Sequence, residues 1–324
     1  MNGRRLGGTS IEITPIGLGS WQFSQGAGMS GSFWPSIGQE AITSVVGAAL
    51  KGGVSWFDTA EMYGNGRSEQ TLAAALAALD VAPGSVAVAT KWWPLARTAR
   101  FIGRTIADRL SGLAPYPVDL FQVHHPWSFS PIPAQMREMA ALVRAKKIRA
   151  VGVSNFPARQ MEEAHAALAA EGIPLASNQV RFNLLDRRIE GNGVLGAARR
   201  LGVTIIAWSP LGQGMLTGRF HDDPGLAARL SRGRRFMNRI TPARLAATAP
   251  LIGTLRKVAA AHGVTVAQAA LAWTVSVHDG AVVAIPGASK PRQAAEAAEA
   301  LHVKLSTREM AEIDEASWRC IAAG

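Results

Sequence analysis

The sequence predicts an α/β protein, specifically a (β/α)8 barrel (TIM barrel) with an N-terminal β-hairpin and an additional C-terminal helix. Short apolar segments alternate with longer helical patterns along almost all of the 324 residues, as expected for repeated β-then-α units. Several short segments are continuously apolar, such as VAVAT (86–90) and TIIAW (204–208), which is typical of parallel strands covered on both faces. Eight such units favour the barrel over its alternative, a doubly wound sheet.

The strands and helices are predicted from apolar runs and from helical periodicity, respectively. Gly-Val or Gly-Ile follows several helical patterns and marks the entry into the next strand. The predicted strands are 16–18, 56–58, 86–91, 120–124, 150–154, 177–180, 204–208 and 281–284. The clearest predicted helices are 41–51, 68–79, 101–110, 134–145, 158–170 and 194–201.

Three segments lie outside the regular alternation. Residues 3–13 resemble a hairpin that would plug the bottom of the barrel. Residues 209–265 exceed the length of one βα unit. Residues 306–320 predict a final helix in which Ser306 is the N-cap and Glu309 completes a capping box. No long linker is visible, so residues 1–324 are expected to form one domain.

Composition excludes several classes of protein. Hydrophobic residues make up 48% of the chain, which is ample for a large core, and the single cysteine, Cys320, excludes a disulfide framework and a cysteine-rich zinc site. No signal sequence and no run of about 18 apolar residues is visible, so we expect a cytoplasmic protein without a membrane span.

The formal net charge of +11 admits nucleic-acid binding. Most arginines are nevertheless scattered through helical patterns, so we favour a solvated basic surface and expect no nucleic-acid partner. One concentration, in 219–244, either steers an anionic cofactor or substrate or forms an exposed loop. It comprises Arg219, Arg229, Arg232, Arg234, Arg235, Arg239 and Arg244.

Polar side chains lie where successive predicted strands end, which is where barrel enzymes bind substrates. The second strand ends in Asp58, the third in Lys91 and the fourth in His124, and Tyr63 follows Asp58 in the next loop. Each alone has a structural alternative, such as an ion pair or a helix cap, but four at neighbouring strand ends point to a reaction site. A lysine held by an aspartate would favour the ionised phenol and lower the pKa of Tyr63.

Several ordered motifs are spread over nearly the whole length. They are GLGSW (17–21), FDTAEMYGNGRSE (57–69), ATKWW (89–93), DLFQVHHP (119–126), IRAVGVSNF (148–156), NQVRFNLL (178–185), AWSPLGQGMLTG (207–218) and IPGASKP (285–291). Together they resemble the aldo-keto reductase superfamily. The resemblance implies a barrel that reduces aldehydes or ketones with a nicotinamide cofactor and without a metal. It also implies the catalytic tetrad Asp58, Tyr63, Lys91 and His124.

The resemblance further implies the cofactor contacts. Ser154, Asn155 and Gln179 would surround the carboxamide and Trp208 would stack on the nicotinamide ring. Ser209, Leu211, Gly212 and Gly214 would follow the diphosphate. The adenosine end, Gly287, Ser289, Lys290, Gln293 and Glu296, departs from the family pattern at Gly287-Ala288, at Gln293 and at Ala297. NADP is preferred, because Ser289, Lys290 and Arg292 could hold a 2′-phosphate, and NAD remains possible.

Aromatic residues near the strand ends suggest a bulky or aromatic carbonyl substrate, although sugars also stack on such surfaces. Trp21, Trp34, Trp92 and Trp127 are the candidate substrate contacts. Two other functions remain open: a Schiff-base aldolase acting through Lys91, and a non-catalytic nicotinamide-binding subunit. Residues 26–31 match G-x-G-x-x-G, but no helix pattern follows directly, so we interpret them as a loop. The oligomeric state is not predicted.

Overall fold

The computed structural model describes residues 3–28, 33–230 and 240–322. Its centre is an eight-stranded parallel sheet in which β3 to β10 are neighbours in chain order. Parallel bridges from Ile16 to Ala284 and from Gly19 to Gly287 join the first and last strands and close the ring. The predicted (β/α)8 barrel is therefore confirmed. The strands are β1 Arg4–Arg5, β2 Glu12–Ile13, β3 Leu18–Gly19, β4 Trp56–Asp58, β5 Ala87–Trp92, β6 Leu120–Val123, β7 Ala150–Ser154, β8 Leu175–Arg181, β9 Thr204–Trp208 and β10 Val282–Ile285.

Helices cover the outside of the barrel and alternate with its strands. The α-helices are α1 Gln39–Lys51, α2 Arg67–Ala78, α3 Arg100–Leu113, α4 Ile132–Arg144, α5 Ala158–Ala169, α6 Arg188–Gly191, α7 Val194–Leu201, α8 Arg219–Asp222, α9 Pro242–His262, α10 Val266–Ser276, α11 Pro291–Glu299 and α12 Thr307–Ala322. Short 3-10 helices lie at Trp21–Phe23, Gly212–Thr217, Pro224–Arg229 and Ala300–His302. The six clearest predicted helices all form, with ends shifted by no more than three residues.

The pleat of each strand divides its side chains between the barrel interior and the surrounding helices. In β5, Ala89 packs with the interior cluster, whereas Val88 and Trp92 belong to the outer cluster between the barrel and the helices. Lys91 therefore shares the inward face of the strand with Ala89. This alternation decides which side chains of β5 can reach a site at the top of the barrel.

The N-terminal hairpin closes the bottom of the barrel, as predicted. Strands β1 and β2 pair antiparallel, and Leu6, Ile11 and Ile13 are buried in the interior cluster. The Gly7 amide donates to Thr204 Oγ1 at 2.8 Å. Gly7 has φ +53°, and a side chain there would collide with the backbone carbonyl of Ala176, so this turn requires glycine.

The C-terminal helix α12 packs across the barrel wall. The predicted capping box is present, because Ser306 Oγ accepts from the Glu309 amide and the Glu309 carboxylate accepts from the Ser306 amide. Arg187 lies 4.9 Å from the Trp273 ring centroid and 4.3 Å from that of Trp318. These contacts attach the end of the chain to the barrel.

Within the described ranges, no single helix has the length and apolar character to cross a membrane. One pair, α9 with α10, meets the requirement only when taken together, and the two helices are bent by 95° relative to each other.

Candidate active site

A cavity of about 900 Å³ opens at the carboxyl ends of the barrel strands. Asp58, Tyr63 and His124 line it, and Lys91 lies directly beneath with no exposed surface. The strand ends converge because all eight strands are parallel, so groups from β4, β5 and β6 reach one place. The structure therefore brings the four predicted tetrad residues together.

The centre of this group is a buried ion pair. Lys91 Nζ lies 2.5 Å from Asp58 Oδ1 and donates to the Thr59 carbonyl at 2.9 Å. The other carboxylate oxygen of Asp58 accepts from the amides of Gln122 at 3.1 Å and Gln179 at 2.8 Å. Both charges are thus compensated and hydrogen-bonded, which a buried pair requires.

The side chain of Tyr63 lies next to the Lys91 end of this ion pair. Its oxygen is 3.4 Å from Lys91 Nζ, and the ammonium lies 4.9 Å from the ring centroid. Burial lowers the pKa of Lys91, but Asp58 and Tyr63 outweigh burial, so the net pKa is raised. Burial also raises the pKa of Tyr63, and the opposing effect of Lys91 does not overcome it. The predicted lowering of the Tyr63 pKa is wrong in its net direction, because the sequence gives the charged neighbour but not the depth of burial.

Three aromatic side chains pack against the imidazole ring of His124. Tyr63 meets it edge-on at 5.8 Å and Trp93 at 5.3 Å, while His125 stacks on it at 5.3 Å. Burial, followed by the positive charge of Lys91, holds the pKa of His124 well below its usual value, so the imidazole is neutral at pH 7. Among the described residues, Nδ1 of His124 has no hydrogen-bond partner.

Hydrogen bonds fix the predicted carboxamide-binding residues. Ser154 Oγ donates to the Gln179 carbonyl at 2.9 Å, and Asn155 Nδ2 donates to the His124 carbonyl at 3.1 Å. Trp208 Nε1 donates to Asn155 Oδ1 at 3.1 Å. Ser154, Asn155, Gln179 and Trp208 belong to the predicted cofactor set, and all four line the cavity. Their orientation is therefore set before any ligand arrives.

The opposite end of the cavity is cationic. Arg219, Arg229, Lys290 and Arg292 line it, and in the described part of the chain Nε of Arg219 has no hydrogen-bond partner. Gly214 has φ +97°, and a side chain there would lie 2.8 Å from the Arg219 guanidinium. A bare glycine beside a cationic, unpaired donor fits a phosphate group, so the residues present fit the diphosphate of a dinucleotide.

Most of the other predicted cofactor residues also line the cavity, namely Ser209, Leu211, Gly287, Ser289, Lys290, Gln293 and Glu296. Gln293 Oε1 accepts from the Ser289 amide at 3.0 Å, which orders the turn before α11. Gly212 is buried at φ +53°, behind the lining residues. Gln22, which sequence analysis missed, lines the cavity beside Gly287.

The structure places the four predicted substrate-contact tryptophans in three different environments. Trp21 and Trp34 line the cavity. Trp127 is 51% exposed and stacks on the lining residue His125 at 3.9 Å. The assignment of Trp92 is wrong, because its side chain is fully buried in the outer core, and the lining residue is Trp93. Side chains alternate between the two faces of β5, so the residue after the inward-facing Lys91 points outward. This alternation could have distinguished Trp92 from Trp93.

Two sequence features lie partly outside the described residues. In the G-x-G-x-x-G match, Met29, Ser30 and Gly31 lie there. In the arginine concentration, so do Arg232, Arg234, Arg235 and Arg239. The described ranges contain no group of three or more His, Cys, Asp or Glu side chains arranged to hold a metal ion.

The family model for the aldo/keto reductase family matches residues 15–317. This chain belongs to the aldo/keto reductase family. An uncharacterized oxidoreductase of Mycobacterium tuberculosis is 34% identical over 282 residues, which cover 87% of this chain and 82% of the relative. The chloroplastic pyridoxal reductase of Arabidopsis thaliana is 30% identical over 95% of this chain and 84% of its own.

A solved thermostable aldo-keto reductase, in complex with the inhibitor epalrestat, matches the fold with a TM-score of 0.75. It shares 30% sequence identity and covers 98% of this chain and 100% of its own. Family membership and these oxidoreductase relatives support carbonyl reduction by an oxidoreductase.

Proposed function

We propose that this protein reduces an aldehyde or ketone to an alcohol, with a nicotinamide cofactor as hydride donor and Tyr63 as general acid. One observation carries the proposal: Tyr63 lines the cavity, and its hydroxyl lies 3.4 Å from a lysine that is ion-paired with Asp58. The bound nicotinamide would supply the hydride, and the remaining chemistry is the placement and protonation of the carbonyl oxygen.

Tyr63 donates a proton to the oxygen as negative charge develops on it. Its raised pKa keeps the phenol protonated at neutral pH, and the adjacent Lys91 ammonium stabilises the phenolate that remains. The neutral His124 donates a hydrogen bond that orients the carbonyl. Because Asp58 keeps Lys91 protonated, the amine is a poor nucleophile, which argues against the Schiff-base alternative.

The cofactor would lie between the two ends of the cavity. Ser154, Asn155 and Gln179 would bind the carboxamide, and Trp208 would stack on the nicotinamide. Ser209, Leu211 and Gly214 would follow the diphosphate. The adenosine end would lie against Gly287, Gln293 and Glu296.

We propose NADP in preference to NAD, because Ser289, Lys290 and Arg292 line the cationic end. A 2′-phosphate adds negative charge that these groups can bind. Lys290→Ala should therefore weaken NADPH binding and leave NADH binding unchanged. Equal losses for both cofactors, measured by titration, would remove the preference for NADP.

The substrate is proposed to be an uncharged aromatic carbonyl compound. Trp21, Trp34, Trp93 and His125 line the reacting end, and burial lowers the pKa of His125 to about 4, so it is uncharged at pH 7. Aromatic walls without a charge favour a flat apolar ring, and the Arabidopsis relative is a pyridoxal reductase. A panel of aromatic aldehydes, sugars and small polar aldehydes tests this, and a preference for the polar compounds would reject it.

The test of the mechanism is Tyr63→Phe. Loss of a general acid should cut kcat by ~10²–10⁴-fold, while the dissociation constant of the cofactor stays the same because the phenol lies outside the proposed cofactor contacts. Turnover equal to wild type would reject Tyr63 as the acid. Cofactor binding without turnover over the whole panel would favour the non-catalytic subunit.

A further inference from the structure

We propose that Glu61 is a positioning residue, which holds Tyr63 and His124 in their relative positions by bonding to the loops that carry them. The inference rests on the proposed function, in which these two groups face the carbonyl oxygen. It names a residue outside the tetrad, and four sets of contacts carry it.

The backbone of Glu61 shapes the turn that presents Tyr63. Its amide donates to the Lys91 carbonyl at 3.1 Å, and its own carbonyl accepts from the Gly66 amide at 2.8 Å. Tyr63 lies inside the turn that this second bond closes. The position of the phenol therefore depends on where Glu61 is held.

The side chain of Glu61 crosses to the loop after β5. One oxygen accepts from the Trp93 amide at 2.9 Å, and the other lies 2.5 Å from Arg97 Nη1 and 3.7 Å from Arg109 Nη1. The carboxylate is only 13% exposed, so these charge-assisted bonds are shielded from water. They fix the backbone of Trp93 relative to the turn that carries Tyr63.

The same network reaches the loop after β6. The carbonyl of Arg97 accepts from Ser128 Oγ at 2.9 Å and from the Phe129 amide at 3.0 Å. Glu61 thus connects three neighbouring loops, those after β4, β5 and β6. These loops supply Tyr63, Trp93 and His124.

Trp93 transmits this position to His124. Its ring meets the His124 ring at 5.3 Å and 85°, and the His125 ring at 5.5 Å and 90°. Among the described residues Nδ1 of His124 has no hydrogen-bond partner, so ring packing must orient the imidazole. A shift of Trp93 would therefore rotate His124.

A carboxylate is the group that this position needs. It accepts from a backbone amide and from a guanidinium at the same time, one through each oxygen. A glutamine can satisfy only one of these donors and turns its own amide hydrogens toward the other. Glu61→Gln keeps the size of the side chain but removes one of the two bonds by which the carboxylate connects the loops.

The experiment compares Glu61→Gln with Glu190→Gln. Glu190 is the matched control, because it is 11% exposed, is bonded to Arg187 and His278, and does not line the cavity. We expect Glu61→Gln to lower kcat per active site by about 10–100-fold, as small misplacements do, with unchanged cofactor affinity. The control should keep its kcat.

Two further measurements separate positioning from loss of folded protein. With 4-deuterated cofactor, the primary isotope effect should rise in Glu61→Gln, because hydride transfer becomes slower, and stay unchanged in Glu190→Gln. In 15N-histidine NMR spectra of the unliganded proteins, the His124 ring signals should shift only in Glu61→Gln. If Glu61→Gln does not fold, Arg97→Met removes one partner of the same carboxylate and is measured in the same way.

The outcomes distinguish this inference from the proposed function. Wild-type turnover, together with a Glu61→Gln variant that matches the Glu190→Gln control in kcat and isotope effect, would overturn the positioning role alone. Absence of turnover in wild type would overturn the proposed function. In that case unchanged His124 signals in Glu61→Gln would also overturn the positioning role, and shifted signals would support it.

Discussion

Glu69 should make the protein less stable as the pH rises through the weakly acidic range. Its side chain is fully buried, where one oxygen accepts from Thr90 Oγ1 at 2.5 Å and the other lies 3.0 Å from Arg109 Nε. Burial raises the pKa of Glu69 to about 7, and Arg109 and Thr90 oppose this only in part. The folded protein thus binds the Glu69 proton more tightly than the unfolded chain does.

The sign follows from this difference. The stabilisation by protonated Glu69 is fully present below the unfolded pKa of 4.5 and is lost as the pH rises to about 7. Between pH 5 and pH 8 the free energy of unfolding should fall by about 2.5 kcal/mol through this group alone. Buried histidines with lowered pKa values, such as His125, act in the opposite direction, so the effect must be measured as a difference.

The assay is urea unfolding of wild type and of Glu69→Gln at intervals from pH 5 to pH 8. The variant cannot titrate at this position, and the histidine contributions cancel. It should therefore gain about 2.5 kcal/mol relative to wild type across this range. Glu315→Gln, on an exposed part of α12, should run parallel to wild type. Parallel curves for Glu69→Gln would refute the reasoning.

Three other perturbations give defined outcomes. Gly7→Ala should lower the free energy of unfolding in urea by about 2–5 kcal/mol, because it combines a left-handed backbone with a collision at Ala176. The control Gly172→Ala, at φ +72° with no described atom within 4 Å, should lower it by only about 1–2 kcal/mol. Equal losses in the two variants would contradict the collision. Thr265→Ala removes the capping box of α10 and should lower stability by about 1 kcal/mol, whereas no change in the urea midpoint would contradict a role for the cap. If the cationic end of the cavity steers the cofactor, its association rate, measured by stopped-flow fluorescence, should fall as salt is added; a rate independent of salt would exclude steering.

One physical reason explains why the sequence predicted both the barrel and the meeting of polar residues at its strand ends. Continuous apolar strands are typical of a parallel sheet, and parallel strands bring their carboxyl ends together, so Asp58, Lys91 and His124 were expected to converge. Local pattern also predicted the capping box of Ser306 with Glu309, since both partners lie within one turn of helix.

Features that depend on distances across the fold were not predictable. Trp92 was misassigned because β5 continues to that residue, which turns it outward and leaves Trp93 for the cavity. The net pKa of Tyr63 depends on burial that no motif reports. Glu61 was overlooked because its partners, the Trp93 amide and Arg97, lie more than 30 positions away.

The hairpin at the bottom of the barrel has a consequence for synthesis on the ribosome. Arg4, in β1, binds residues that are translated much later: it donates to the carbonyls of Val275 at 2.7 Å and Val282 at 2.6 Å. These partners follow Arg4 by 271 and 278 residues in the chain. The hairpin must therefore wait without these long-range partners until β10 emerges, and a nascent chain arrested before residue 282 should leave it open to proteases or chaperones.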